Sequence, residues 1–293
     1  MIHTLDPSTI DKTKNQSLTE VSSANPEHLN FPEIYIMASG KGGVGKTWLS
    51  ITLVHTLAQQ GKKILLFDGD LGLANIDIQL GLTPPRDLGN VLAQQCSLKE
   101  AIMSHPSGQF DVIAGRSGCG SLSTLSPHRL NFLREEIKSL AQDYDMIFID
   151  LGAGIGGTVR ALSAIATEFI VVTTEEPTAL TDAYAFIKLM SQILPQVPIQ
   201  VLINQAETTS TATQAYEIVK KVCERFLKIT PAYLGSVRRD VRVRESIQSQ
   251  TLILTRHPNA PAGQDVQAIA QELAKKKQNK DKKAKIMLET VAI

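Results

Sequence analysis

Short apolar runs alternate along the chain with stretches in which apolar residues recur at helical spacing. The runs are apolar throughout, which is typical of strands that are buried on both faces of a parallel sheet. They lie at Ile34–Ala38, Ile64–Phe67, Phe110–Ala114, Met146–Ile149, Phe169–Thr173, Ile199–Ile203 and, more weakly, Ala232–Gly235. Helical periodicity separates them at Trp48–Gln60, Pro127–Gln142, Thr178–Leu194 and Thr213–Phe226. This alternation predicts a single doubly wound, mostly parallel α/β sheet with helices on both faces.

The two ends of the chain lie outside this pattern. Residues 1–32 are rich in Ser, Thr, Asn and Asp and predict a flexible arm, so that residues 33–274 form the α/β domain. Residues 275–293 hold seven lysines and two acidic residues, and they end in an apolar tip at Ile286–Ile293. Lysines beside an apolar tip predict a tail that binds an anionic membrane surface, although a solvated, disordered tail explains the composition nearly as well.

Charge and cysteine content narrow the class of protein. The chain has 293 residues and a net charge of +1; because the tail carries +5, the remainder carries −4. A mildly acidic body argues against broad or specific nucleic-acid binding. The three cysteines are far apart and form no C-x-x-C pair, which argues against a disulfide framework, a zinc site or a cluster site. With no long apolar run and no signal sequence, we expect a cytoplasmic protein, peripheral at the membrane if the tail binds there.

The first predicted strand leads directly into the sequence Gly40–Thr47, which reads G-K-G-G-V-G-K-T and is followed by a helix. This is the pattern G-x-x-x-x-G-K-[ST], in which backbone N–H groups and the helix N-terminus surround phosphate oxygens. We expect Lys46 to neutralise the β- and γ-phosphates and the Thr47 hydroxyl to bind Mg²⁺. A glycine-rich turn without a ligand is a poor alternative. The predicted cofactors are ATP and Mg²⁺, and the predicted contacts are Gly40, Lys41, Gly42, Gly43, Val44, Gly45, Lys46, Thr47 and Trp48.

Carboxylates follow two other predicted strands. Asp150 ends the run Met146–Ile149, where a Mg²⁺-binding carboxylate is expected, and Asp68 and Asp70 follow Ile64–Phe67. Side chains at the carboxyl ends of parallel strands face the crevice in which ligands bind. An N-cap or turn role is a reasonable alternative for Asp70.

A second lysine inside the loop, Lys41, resembles the deviant Walker A motif K-G-G-x-G-K-[ST] of the MinD/ParA family, and the resemblance extends over about residues 33–275. It implies a homodimer in which Lys41 contacts the partner subunit's ATP; a solvated lysine at the mouth of the loop is the alternative. By the same resemblance, residues 68–77 are the family's switch I, in which Asp70 orients the attacking water. Asp68 supports Mg²⁺ together with Thr47 and Asp150. The catalytic residues implied are thus Lys41, Lys46 and Asp70.

The resemblance also covers a loop that senses the nucleotide and the residues expected to contact the adenine base. Residues 151–154 match the family's switch II, which senses the γ-phosphate. Asn204 matches the residue that binds adenine, and Asp240 matches a P-x-D loop near the base, although Val237 replaces the proline. Four neighbouring arginines line either a ligand surface or a solvated face: Arg238, Arg239, Arg242 and Arg244.

The segment Glu176–Lys188 is most similar to the FlhG/FleN branch, which regulates the number and placement of flagella. Glu, Pro and Thr are also ordinary residues at a helix start, which is the alternative explanation. The branch implies an FlhF-like GTPase or a flagellar transcription activator as partner, but residues 11–20 do not match the D-Q-A-x-x-L-R activation motif. A MinD-like division-site regulator and a ParA-like DNA or cargo partition ATPase are alternatives. An iron–sulfur cluster carrier would need paired cysteines.

Overall fold

The computed structural model describes residues 32–115 and 125–291, with side chains described through residue 282. Eight strands in these ranges form one sheet in the order β3-β4-β2-β5-β1-β6-β7-β8. The strands are β1 Glu33–Ala38, β2 Ile64–Gly69, β3 Met103–His105, β4 Phe110–Ile113, β5 Met146–Leu151, β6 Glu168–Thr173, β7 Ile199–Ala206 and β8 Ala232–Arg238. All seven predicted strands are present. The short edge strand β3 was not predicted. It pairs with β4 in antiparallel orientation, whereas the other described strand pairs are parallel.

Helices connect the strands and cover both faces of the sheet. They are α1 Lys46–Gln59, α2 Ile76–Leu80, α3 Leu88–Leu92, α4 Pro127–Ala141, α5 Gly157–Ser163, α6 Pro177–Ile193, α7 Thr209–Leu227, α8 Val241–Gln248, α9 Ile253–Arg256 and α10 Pro261–Val291. Two buried clusters result, one under α4 to α7 and the other under α1, α2, α9 and α10. The predicted doubly wound α/β fold is therefore confirmed.

The sheet brings three loops together at one edge. β1 lies between β5 and β6, and β5 also pairs with β2, all in parallel. The carboxyl ends of β1, β2 and β5 therefore meet, and Asp68 pairs directly with Asp150 in the register of β2 and β5. This places the glycine-rich loop and both predicted Mg²⁺ carboxylates at the ligand-binding edge of an open α/β sheet.

α10 runs without interruption through residues 274 and 275, where the sequence predicts the start of a separate tail. Lys280 lies at the amino ends of β1 and β6 and donates to Glu33 at 2.6 Å and to Glu168 at 3.0 Å. Both carboxylates are nearly fully buried. Lys276 donates to Gln200 on β7. Part of the lysine run thus fixes the helix to the body, since a buried carboxylate requires a charged or hydrogen-bonded partner.

Two predictions concern parts of the chain of which little or nothing is described. The arm predicted at residues 1–32 lies outside the described residues, except for Pro32. The side chains of the predicted apolar tip, and its last two residues altogether, also lie outside them. Among the helices that are described, none is long and apolar enough to cross a membrane.

Candidate nucleotide site

The glycine-rich loop after β1 closes tightly on its neighbours, which explains its glycines. Gly45 has a φ of 83°, and a Cβ there would lie 2.4 Å from Nδ2 of Asn204. A Cβ on Gly40 would lie 2.1 Å from the carbonyl carbon of Asp182 in α6. Because any side chain would collide at these two positions, only glycine allows the loop to wrap between β7 and α6.

Asp150 is the centre of a buried hydrogen-bond network at the start of α1. Its carboxylate accepts from Lys46 Nζ at 3.0 Å, Thr47 Oγ1 at 2.6 Å and Ser50 Oγ at 2.8 Å. Lys46 is 9% exposed and Asp150 is 2% exposed. Sequence reasoning missed Ser50, although its position four residues after Lys46 places both on one face of α1. The network holds in one place the lysine predicted to bind phosphate and the hydroxyl predicted to bind Mg²⁺.

Asp68 lies beside this network. It is 1% exposed and accepts backbone N–H groups from Asp70, Asn75 and Ile76. Burial, and then the charge of Asp150, raise the pKa of Asp68 to about 7, although the three N–H groups oppose that rise. Two buried carboxylates that repel each other favour a cation between them. Together with the Thr47 hydroxyl they supply the oxygen ligands that Mg²⁺ prefers, so these residues fit the ion.

Thr47, Asp68 and Asp150 supply only part of the oxygen ligands that a Mg²⁺ ion needs. Within the described residues, no group of three or more His, Cys, Asp or Glu side chains could hold a metal ion. Mg²⁺ is usually held by one or two carboxylates plus waters and substrate phosphates, so this donor set suits an ion that arrives with its nucleotide.

Asp70 lies where the two predicted switch loops meet. Its Oδ1 accepts from the backbone of Leu73 at 3.1 Å, which is the turn role that the sequence left open. A Cβ on Gly152 would lie 3.2 Å from the same oxygen. Two residues after Gly152, the N–H of Gly154 donates to the carbonyl of Ser39, which follows β1, at 2.8 Å. Asp70 therefore lies beside the loop that follows Asp150.

Two open cavities adjoin the glycine-rich loop. One of about 600 Å³ is lined by the loop together with Asp70, Asn75 and Gly152. The other, of about 750 Å³, is lined by Asn204, Asp240 and Arg244, and Trp48 borders both. The first has the residues for phosphates and the second has the residues predicted to contact the base.

The residues predicted for the base already hold other contacts. Asn204 is buried, and its Nδ2 donates to the carbonyl of Val44 at 2.7 Å. Gln205, which the sequence analysis did not single out, donates to the carbonyl of Gly43 at 3.2 Å. Asp240 caps α8 by accepting from the backbone of Arg242 at 3.0 Å. These side chains thus shape the cavity wall in the absence of a ligand.

The four neighbouring arginines are all exposed, and three of them form ion pairs: Arg238 with Asp265, Arg239 with Glu207 and Arg242 with Asp240. Arg238 binds Asp265 through two nitrogens, at 2.8 Å and 2.7 Å, so it serves the packing of β8 on α10. Arg239 and Arg244 are exposed and line the larger cavity.

Lys41 lies apart from the phosphate-binding residues of its own chain. Its Nζ donates to Oε2 of Glu176 at 2.8 Å and to Oγ1 of Thr178 at 3.1 Å. This hydrogen bond and the lysine charge lower the pKa of Glu176. The Lys41 side chain is 41% exposed and lines neither of the two cavities. Lys46 alone faces the expected phosphate position.

Comparisons with known proteins agree with this geometry. A family model described as an AAA domain matches residues 33–203. The antiactivator FleN of Pseudomonas aeruginosa is 34% identical over 241 residues, which cover 82% of this chain and 86% of FleN. The flagellum site-determining protein YlxH of Helicobacter pylori is 30% identical over 82% of this chain and 81% of YlxH.

The fold likewise matches a solved structure. The septum site-determining protein MinD of Pyrococcus horikoshii, complexed with Mg-ADP, superposes with a TM-score of 0.70 at 25% identity, over 82% of this chain and 95% of that one. The resemblance to the MinD/ParA family and its FlhG/FleN branch is confirmed. The chain belongs to the AAA-domain family that the matching model describes, and it is a P-loop ATPase of the ParA/MinD type.

Proposed function

We propose that this ATPase is an ATP-dependent dimerisation switch that regulates the number and placement of flagella. The position of Lys41 carries the proposal. A lysine inside a phosphate-binding loop that faces away from its own cavity is available to a second subunit's nucleotide. The similarity to FleN and to YlxH supports the flagellar role.

The ion pair between Lys41 and Glu176 is easily exchanged. Both side chains are substantially exposed, and pairs of this kind contribute little to stability. The triphosphate of an ATP bound to the partner subunit is a stronger acceptor, because it carries several negative charges in a partly desolvated interface. Lys41 therefore leaves Glu176 when two ATP-bound subunits meet.

ATP binding rearranges the Asp150 network in the same chain. Lys46 turns from Asp150 to the β- and γ-phosphates, and the loop N–H groups surround the phosphate oxygens. Thr47, Asp68 and Asp150 would hold Mg²⁺, which would supply positive charge to stabilise the transferred phosphoryl group. Asp70 accepts a hydrogen bond from water at the junction of the switch loops and orients it towards the γ-phosphate. Turnover is slow and Mg²⁺-dependent, because hydrolysis times the return to monomers.

The partners follow from this switch. The first is a second copy of the chain, and the others are an FlhF-like GTPase or a flagellar transcription activator that distinguishes monomer from dimer. The basic end of α10 binds an anionic membrane surface at the inner face of the cell membrane. Specific nucleic-acid binding is not part of the proposal, because the body of the chain is acidic.

Counting flagella tests the proposal directly. In cells from which the gene is deleted, we expect abnormal numbers or positions of flagella by electron microscopy. The parent gene restores them, and Lys46→Gln, which cannot bind phosphate, does not. Septum positions in the same cells provide the contrast. Displaced septa with normal flagella would instead indicate a division-site regulator, and an ATP-dependent gel shift with DNA would indicate a partition ATPase.

A further inference from the structure

Trp48 is the chain's single tryptophan and lies in the first turn of α1, directly after Thr47. Its side chain is 5% exposed, so it belongs to the interior. It nevertheless borders both cavities beside the glycine-rich loop and a third, small cavity. Trp48 and Gln79 both line the small cavity and also the cavity that has the residues for phosphates.

Two residues that line the small cavity carry polar atoms whose hydrogen-bonding needs are complementary. Nε1 of Trp48 is fully buried and has no acceptor, while Oε1 of Gln79 is fully buried and has no donor. Both residues line this cavity, whose volume open to the centre of a water molecule is about 10 Å³. That is close to the minimum for one water. A buried N–H without an acceptor is unfavourable, and one water can satisfy both atoms.

Gln79 connects the small cavity to the switch loop. It lies in α2, and its backbone N–H donates to the carbonyl of Asn75 at 3.0 Å. The first residues of α2 are held by the carboxylate of Asp68, which accepts from Asn75 and from Ile76. Gln79 therefore belongs to the same short helix whose first residues are held by Asp68.

We propose that Trp48 is a positioning residue that couples occupancy of the nucleotide cavity to the switch loop Asp68–Asn75. Its Nε1–H donates to one water, and that water donates to Oε1 of Gln79. Nucleotide on one face of the ring fixes the indole, and the water bridge transmits that position to α2. The inference rests on the proposed ATP switch and assigns to Trp48 and Gln79 the link between binding and hydrolysis.

The unmodified protein provides the first test, because its only tryptophan reports on this position. Emission is recorded without nucleotide, with Mg·ADP and with a slowly hydrolysed Mg·ATP analogue, and calorimetry establishes binding in each sample. We expect emission to change on binding and to differ between the two nucleotides. Identical emission in all three states, with binding established, would overturn the proposal.

Substitutions at Gln79 provide the second test. Gln79→Met keeps the length of the side chain and removes the acceptor, so it should abolish the difference in emission between the two nucleotides. It should lower kcat about fivefold or more, the lower range of typical coupling between sites, with a smaller change in KM. Gln79→Glu, which keeps an oxygen acceptor, should restore most of the rate. Gln59→Met, at the exposed end of α1, is the matched control and should behave as the parent.

A double-mutant cycle with Trp48→Phe, which lacks the N–H group, completes the test. If the two residues act through one bridge, the double variant loses no more kcat than the more impaired single variant. Additive losses, or a Gln79→Met variant with the parent's kcat and emission, would overturn the coupling. Because the parent's own turnover and dimerisation are measured in parallel, a failure of the ATP switch is distinguished from a failure of this link.

Discussion

His55 makes the stability of this protein depend on pH in a way that can be isolated by one substitution. It lies on α1, is 1% exposed, and its Nδ1 has no hydrogen-bond partner. The centre of the Phe110 ring lies 6.5 Å from that of His55, and His105 of the edge strand β3 stacks on Phe110 at 5.1 Å. Burial, and then the charge of His105 when protonated, lower the pKa of His55 from 6.5 to about 4.

The sign and size of the effect follow from this pKa. The folded protein holds His55 neutral, whereas the unfolded chain binds a proton near pH 6.5, so stability is lost as the pH falls from 6.5 towards 4. The full effect is about 3 kcal/mol, and roughly 2 kcal/mol of it is lost between about pH 7 and pH 5. Asp68 titrates in the opposite sense, because its raised pKa favours the folded protein at low pH. The contribution of Asp68 is the same in the parent and in a His55 variant, so it cancels when their losses of unfolding free energy are compared.

Urea unfolding at about pH 7 and pH 5 measures this loss for the parent, His55→Leu and His128→Leu. We expect His55→Leu to lose roughly 2 kcal/mol less than the parent between these pH values, whatever its absolute stability. His128 is exposed on α4, so its substitution by leucine should leave the parent's pH dependence unchanged. The reasoning fails if His55→Leu and the parent lose the same free energy of unfolding.

Three further predictions concern the switch and the tail. Lys41→Ala should retain ATP binding by calorimetry but lose ATP-dependent dimerisation by light scattering, whereas Lys138→Ala, which removes an equally exposed ion pair with Glu135, should dimerise as the parent. Asp70→Ala should lower turnover about 10²-fold and accumulate an ATP-bound dimer, because water is no longer oriented; unchanged turnover would assign that role to another residue. The basic end of α10 should bind anionic liposomes at low salt with ATP analogue present, because two linked tails can raise apparent affinity about 10²-fold. A chain that ends before residue 282 keeps the Lys280 contacts and should lose this binding, and equal sedimentation would contradict the prediction.

The sequence alone was sufficient for the main elements and for the motif residues. Apolar runs and helical periodicity are local properties, so they located seven strands and the long helices to within a few residues. The glycine-rich loop was also predictable, because its chemistry is encoded in consecutive residues between a strand and a helix. The edge strand β3 was missed, since three residues carry too short a pattern to be distinguished from a loop.

Tertiary structure decided which distant side chains meet. No local pattern states that β2 pairs with β5, yet this pairing brings Asp68 beside Asp150, whose charge adds to the effect of burial in raising the pKa of Asp68. In the same way, the lysine run suggested a free tail, whereas Lys280 lies against Glu33 and Glu168 because α10 reaches the amino ends of the central strands β1 and β6. Spacing along the chain predicts periodicity and motifs, but electrostatic partners depend on strand order and helix packing, which bring together residues that are distant in the sequence.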